Sequence, residues 1–310
     1  MYRTENALIS IKGRVSDKDI FPICIPSYNR VNSTLLRKLY NQGYGKEIYL
    51  FIRKEQYSMY EKYAKRFSTI KLKNAQDAGT TRRSIVNYAK HRGWKYIFML
   101  DDDICMLDWV YPDYTKNGHL CLRPRSTNLG EPYTINKDAF KLWVNLMQNN
   151  PDVVLSGAAL KSNHWHEKYI GKPLEFNSGY CLQNICLNIE KLKELEINYQ
   201  SNKICGIEDY RLQFDILEAG GKTLVYRDLF YDCSSSVGSG SGGFEYKEEV
   251  KNHYNKVNEI FLKSIGGSHP AVSFRTTKSK WQSIKLNWSY WSTKEKVKGI
   301  PYKRSKSDEK

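Results

Sequence analysis

Tyr96-Ile97-Phe98-Met99-Leu100 runs directly into Asp101-Asp102-Asp103 before Ile104, and few arrangements accommodate five apolar residues that end in three carboxylates. A short continuous apolar run reads as a strand buried on both faces, as in a parallel sheet. Open α/β sheets bind ligands at the carboxyl ends of their strands, so acids delivered there belong to a site. Adjacent like charges raise one another's pKa values, and a positive partner belongs among them. A hard divalent cation, Mg²⁺ or Mn²⁺, carrying a phosphorylated ligand meets that need. The same residues also suit a solvated turn whose acids cap a following helix.

The flanking chain favours the sheet. Phe21 to Pro26 reads as a buried strand, and Ser27-Tyr28-Asn29-Arg30 as a polar loop entering a helical pattern with Leu35, Leu36, Leu39 and Tyr40. Glu47 to Ile52 is a second strand ending at Arg53, Tyr57 to Phe67 a helix, and Thr69 to Leu72 a third strand. After Gly79, Thr80 to Ala89 has hydroxyl residues suited to capping and then apolar residues at helical spacing, with Gly93 as the stop. Alternation at this spacing predicts parallel βαβ units.

Beyond Asp103 the pattern loosens through Pro112, Pro124 and Pro132, an irregular stretch suited to covering a site. A helix is predicted from Asp138 to Met147, a strand from Asp152 to Leu160, and a polar loop with His164 and His166 from Asn163 to Asn177. Ser178 to Asn188 reads as a strand and Ile189 to Leu195 as a helix. Gly206-Ile207-Glu208-Asp209 opens a helix over Tyr210 to Glu218, and a strand follows from Lys222 to Tyr226. An acidic pair at a helix start also satisfies the helix dipole with no chemistry attached. Asp232 to Gly243 is Ser- and Gly-rich, a linker or a mobile loop closing over a phosphate ligand, and 244–265 reads as an amphipathic helix.

With 310 residues and 40% hydrophobic content the chain can bury a substantial core, and 13% aromatic content argues against disorder. Its net charge of +16 favours polyanionic partners. Half of that excess lies in residues 264–310, where eleven Lys or Arg stand against three acids, among Trp281, Trp288, Tyr290 and Trp291. The seven cysteines, Cys24, Cys105, Cys121, Cys181, Cys186, Cys205 and Cys233, include no C-x-x-C pair and fit reduced thiols. The opening residues lack a signal-peptide pattern and no apolar run reaches membrane-spanning length, so a cytoplasmic protein without integral membrane association is expected.

The strand ending in Pro26-Ser27-Tyr28-Asn29-Arg30, the Gly79 to Arg83 loop, Asp101-x-Asp103, and Glu208-Asp209 before a helix come in the order found in nucleotide-sugar glycosyltransferases of the glycosyltransferase-A fold, which the chain resembles over roughly residues 21–230. The resemblance implies an α/β fold with a Rossmann-like, mostly parallel central sheet flanked by helices and a basic C-terminal extension. It divides the chain into a catalytic domain, 1–243, and a helical, basic, aromatic extension, 244–310, suited to contacting DNA. Asp103 would hold the Mn²⁺ or Mg²⁺ that bridges both phosphates of a nucleoside-diphosphate sugar, and Asp101 would contact the ribose or a metal-bound water. Pro26, Tyr28 and Asn29 would lie against the base and ribose, with Arg30, Arg53 and Gly79 as further nucleotide contacts. Arg82 and Arg83 would meet the acidic edge or a phosphate, although an exposed helix face suits one of them equally. Asp209 would be the catalytic base and Glu208 its support.

Many members use a late histidine as a further metal ligand; no His occupies the matching stretch here, His253 being the nearest, and Asp232 could supply a further metal or acceptor contact. Within that fold the chain is most similar to the phage enzymes, associated with TET/JBP-type hydroxylases, that glycosylate hydroxymethylpyrimidines in double-stranded DNA. A phage-encoded enzyme would act in the host cytoplasm. A glycan or lipid-linked acceptor, or a non-catalytic nucleic-acid-binding role, are the alternatives.

Overall fold

Alternate residues of the central strands face two different apolar clusters. Ile23, Ile25, Phe98 and Leu100 belong to one, while Cys24, Ile97 and Met99 belong to the other. A strand buried on both faces this way sits inside an α/β sandwich. The computed structural model describes residues 21–73, 75, 77–114, 120–124, 135–160, 176–199, 206–233, 247–276 and 282–292.

The strands are β1 (Ile23–Ser27), β2 (Ile48–Arg53), β3 (Ser68–Leu72), β4 (Tyr96–Leu100), β5 (Ile104–Tyr114), β6 (Leu120–Pro124), β7 (Val153–Leu160), β8 (Asn184–Asn188) and β9 (Lys222–Cys233). They form one nine-stranded sheet in the order β3-β2-β1-β4-β8-β7-β9-β5-β6. β3, β2, β1 and β4 are parallel neighbours, as are β7 and β9, whereas β8 and β5 run antiparallel to the strands on either side. Seven of the nine strands therefore point the same way.

Helices cover both faces, as the sequence alternation predicts. α1 (Thr34–Asn41) and α4 (Lys137–Asn149) pack on one face through Leu35, Leu39, Phe140 and Trp143. On the other lie α3 (Ala78–His91), α5 (Ile189–Glu194) and α6 (Glu208–Glu218), through Ile85, Ala89, Leu192, Leu212 and Ile216. The helix predicted over Tyr57 to Phe67 is instead a 3₁₀ segment, Lys54–Tyr60, followed by one turn of α-helix, α2 (Glu61–Ala64). That arrangement buries Gln56, Tyr60 and Tyr63.

Two regions differ further from the sequence reading. The irregular stretch after Asp103 contains β5 and β6; Pro112 is tolerated because it lies beyond the last pair with β9, Trp109↔Leu229, where β5 is paired on the β6 side alone. The strand expected from Ser178 contracts to Asn184–Asn188, because Asn177 and Gln183 adopt left-handed backbone conformations (φ 55° and 56°) that no strand accommodates. Residues 1–20, His164 and His166, Cys205, the Cys121 side chain, and most of the Asp232 to Gly243 stretch lie outside what is described.

A third apolar cluster joins α6 to the chain's last elements. Ile207 and Phe214 pack with Val257 and Phe261 of α7 (Lys247–Ser264) and with Ile284 and Leu286 of a hairpin made by β10 (Val272–Thr276) and β11 (Gln282–Leu286). At this junction the Tyr180 hydroxyl oxygen accepts the Leu286 N–H at 2.9 Å.

The tightest approach in the sheet is at Gly157 on β7, where an added Cβ would lie 2.8 Å from the Cys181 backbone. Gly157→Ala should cost about 1–3 kcal/mol by forcing that loop off the strand. Urea denaturation of the variant against the parent protein measures it.

Candidate functional site

Strand direction brings the chemistry to one edge. β1, β2, β4 and β9 end there with Ser27, Arg53, Leu100 and Cys233, while the antiparallel β8 and β5 begin there at Asn184 and Ile104. The loops after β1 and β4, the residue before β8 and the N-terminus of α6 therefore share one surface.

Arg82 is the hub. It is 6% exposed, projects from the second turn of α3, and its Nη2 donates to Asp101 Oδ1 at 2.7 Å and Oδ2 at 2.9 Å. Its Nη1 donates to Glu208 Oε1 at 3.1 Å and also pairs with Asp209 Oδ2. Burial disfavours the guanidinium's charge, yet Asp101, Asp209 and Glu208 together hold its pKa well above the ordinary value. α3 is set for this contact by Asp77, whose carboxylate caps the helix by accepting the Thr80 N–H at 2.6 Å. The sequence reading gave the capping role to Thr80 and Thr81; the helix starts earlier, so Gly79 lies buried in its first turn.

A second arginine serves the other two acids. Arg30 Nη1 donates to Asp102 Oδ1 at 2.9 Å and lies 3.4 Å from Asp103 Oδ2. Ser27 donates its hydroxyl to Asp102 Oδ2 at 2.6 Å and contacts the Tyr60 hydroxyl at 2.9 Å, which in turn accepts the Arg30 N–H at 3.0 Å. Burial, first of all, raises the Asp102 pKa to about 6, against the lowering effect of Ser27 and Arg30. Asp102 thus ties the end of β1 to the end of β4, a role nothing in the sequence pattern announces.

The loop after β1 carries an exposed aromatic. Tyr28 is 40% exposed, with the Arg53 guanidinium 3.9 Å from its ring centroid. Asn29 holds a left-handed conformation (φ 54°), which Asn tolerates better than most residues, and its side chain and backbone both bond to Gln56. Pro26 lies in β1 opposite Phe51, beyond the last pair with β4 at Cys24. Arg83 points to the solvent side of α3, so the two adjacent arginines divide between the acidic edge and the surface.

Glu208 and Asp209 open α6, where the helix dipole favours acids. Glu208 is buried, and its Oε2 accepts the Gly206 N–H at 2.6 Å. Gly206 sits at φ +94°, a conformation open to glycine, with the Tyr254 hydroxyl 3.4 Å from where a Cβ would project. Asp209 is partly buried and its Oδ1 accepts from the Tyr199 hydroxyl at 3.3 Å. Burial raises both carboxyl pKa values against the pull of Arg82, that of Glu208 to about 7. Such a carboxylate takes up a proton more readily than an ordinary one, which is what a general base requires.

Among the described residues no three His, Cys, Asp or Glu side chains are arranged to hold a metal ion. Asp103, its Oδ2 3.4 Å from Arg30 Nη1, has the chemistry to contribute one carboxylate to a cation whose remaining ligands are phosphate oxygens and water. Both oxygens of Asp101 accept from Arg82 Nη2. Asp232 accepts the Cys233 N–H at 3.0 Å, and the His253 side chain lies outside what is described.

The family described as TET-associated glycosyltransferase matches residues 21–242. No curated protein matches the chain. Solved structures with a similar outline include TarS 1–349 of S. aureus, at 14% identity and TM-score 0.43 over 79% of this chain and 65% of that one. The same TarS fragment in complex with UDP matches at 14% identity and TM-score 0.43, over 78% and 65%. GalNAc-T7 with UDP, GalNAc and Mn2+ matches at 12% identity and TM-score 0.46, over 80% of this chain and 51% of that one. The chain thus spans less than two thirds of each of these proteins.

Two outcomes test the hub. Arg82→Ala leaves three carboxylates uncompensated and should cost about 3–5 kcal/mol in chemical denaturation. For Glu208 the folded pKa, about 7, exceeds its ordinary 4.5, so the folded protein keeps a proton the unfolded chain releases. The stability from this group is full below pH 4.5 and is lost as pH rises through about 7. Thermal melts of Glu208→Gln should therefore decline less than the parent's across that window.

Proposed function

The chain belongs to the family of TET-associated glycosyltransferases, and from that membership we propose that it moves a sugar from a nucleoside-diphosphate sugar to the hydroxyl of a 5-hydroxymethylpyrimidine in double-stranded DNA. It is a glycosyltransferase, and its sheet order fits the α/β architecture expected of the glycosyltransferase-A type. The observation that carries the reading is Arg82, which joins the acids after β4 to the acids that open α6.

In this reading the donor lies across the carboxyl edge. The nucleoside base stacks on the exposed face of Tyr28, whose other face carries Arg53. Asn29 and Asp101 lie against the ribose, and Arg30, at the acidic edge, faces the diphosphate with Pro26 and Gly79 shaping the loops beside it. Asp103 would hold Mn²⁺ or Mg²⁺, which when bound supplies positive charge to the leaving diphosphate. Asp209 takes the proton of the acceptor hydroxyl as its oxygen bonds to the sugar's anomeric carbon and the bond from that carbon to the phosphate oxygen breaks. The electron pair leaves on the nucleoside diphosphate. Glu208 and Tyr199 keep Asp209 in place, and Arg82 stabilises the charges on both sides.

The acceptor assignment is supported by charge. A net +16, half of it in residues 264–310, suits a phosphate backbone, where neutralisation gives affinity independent of sequence. The modified base has to leave the stack to reach Asp209, which costs a few kcal/mol and leaves a gap that aromatic rings fill. The extension 244–310 provides the DNA contact, and the catalytic domain is 1–243. Among the described residues no helix is long and apolar enough to cross a membrane; we place the enzyme in the cytoplasm, that of the host if a phage encodes it.

Purified protein incubated with hydroxymethylated duplex DNA, Mn²⁺ or Mg²⁺ and a panel of nucleotide sugars should add a pentose or hexose mass to the DNA. Transfer to glycan acceptors alone would overturn the DNA assignment. Asp103→Ala should abolish turnover while DNA retention on a filter stays near that of the parent. Tyr28→Ala should raise the donor KM by about tenfold, the loss of one stacking platform.

A further inference from the structure

Gln183 is the one residue of the carboxyl edge that the family motifs leave out and the backbone nonetheless singles out. It precedes β8 in a left-handed conformation (φ 56°) that costs energy for any residue but glycine. Its carbonyl accepts the Asp101 N–H at 2.8 Å, so it is locked to the acidic edge from the backbone side. Its side chain is locked separately. Oε1 accepts from the Tyr231 hydroxyl at 3.3 Å and from the Cys233 thiol at 3.4 Å, both on the last residues of β9.

Two donors on one oxygen decide which way the amide faces. The Tyr231 hydroxyl and the Cys233 thiol both direct their protons at that oxygen. With Oε1 turned to β9, the NH₂ half of the amide points away from it. That NH₂ makes no hydrogen bond among the described residues, and it is not among their buried unsatisfied atoms. The residue is only half-buried, so these donors remain accessible. Tyr231 lies within electrostatic reach of Asp101, Asp209 and Asp103, in that order of strength. The clamp is thus bonded to the acidic edge at Asp101 and lies near the acid assigned to the acceptor hydroxyl.

A sugar being transferred has to span that interval. We infer that Gln183 is a specificity-determining residue for the donor, its side-chain NH₂ donating to a hydroxyl of the sugar held between Asp103 and Asp209. The inference rests on the reading of the site as one for a nucleoside-diphosphate sugar. It accounts for a strained residue whose backbone and side chain are each fixed from a different strand, since preorganisation of one donor group is what discrimination between sugars requires.

Gln183→Gly is the informative variant, because glycine adopts the same φ without strain while losing the amide. Its melting temperature should stay within a few degrees of the parent's, relief of the left-handed backbone offsetting the two lost side-chain hydrogen bonds, and its affinity for UDP or GDP, measured by calorimetry, should stay within about twofold. The kcat/KM for the preferred sugar should fall about tenfold or more, the loss of one hydrogen bond. Discrimination among glucose, galactose and mannose donors, which differ at single hydroxyls, should narrow in step. Gln183→Glu, which keeps the shape but replaces the donor group with an acceptor, should lose turnover similarly. Parent-like kcat/KM and sugar preference in Gln183→Gly would overturn the inference, as would an equal loss of affinity for the bare nucleoside diphosphate. Parent protein that consumes no nucleotide sugar at all would overturn the glycosyltransferase reading of the site, and this inference with it.

Discussion

Burying a guanidinium costs several kcal/mol unless its donors and its charge are both answered, and Arg82 is answered by three carboxylates drawn from two distant parts of the chain. Asp101 comes from the end of β4, and Glu208 and Asp209 from the start of α6, more than a hundred residues later. None of these acids would be tolerable so deep without the arginine, and the arginine would not be tolerable without at least one of them. The edge of the sheet is thus assembled around a charge balance as well as around apolar packing, and Arg30 repeats the device for Asp102 and Asp103. Loss of either arginine leaves unpaired charge in a low-dielectric setting, which couples the stability of the fold to the integrity of the site.

The same balance gives the carboxylates of one small region different surroundings. Asp101 and Asp209 differ in what surrounds them: the first stands bidentate on the guanidinium, while the second also accepts a phenol and lies at the mouth of a helix. A single cation touching both couples them, so a change of charge at one alters the field at the other without any movement of the backbone.

Much of the architecture was legible because the evidence for it is local. The run Tyr96 to Leu100 announces a strand buried on both faces by composition alone, and the acids after it announce the edge. Helices α3, α4 and α6 carry their apolar residues at helical spacing and were found within a few residues of their ends. What escaped is what depends on partners far along the chain. β5 was hidden by Pro112 and Pro124, whose prohibition applies to a ladder paired on both sides and not to an edge. Arg82 and Arg83 look alike in sequence, and only the packing of α3 on the sheet decides which of them is buried. Asp102, Tyr60, Tyr199 and Gln183 gave no signal at all, because a hydroxyl or amide that positions another residue through space leaves no spacing rule behind.

The apolar cluster behind α6 carries one more meaning. Ile207 immediately precedes Glu208, and it is packed with Phe261, Ile284 and Leu286 from the end of the chain. The acids therefore sit on the rim of a lever whose far arm is the β10–β11 hairpin, with Tyr254 wedged against Gly206 at the fulcrum. Anything that presses on that hairpin presses, through incompressible side chains, on the angle at which two carboxylates meet the edge of the sheet.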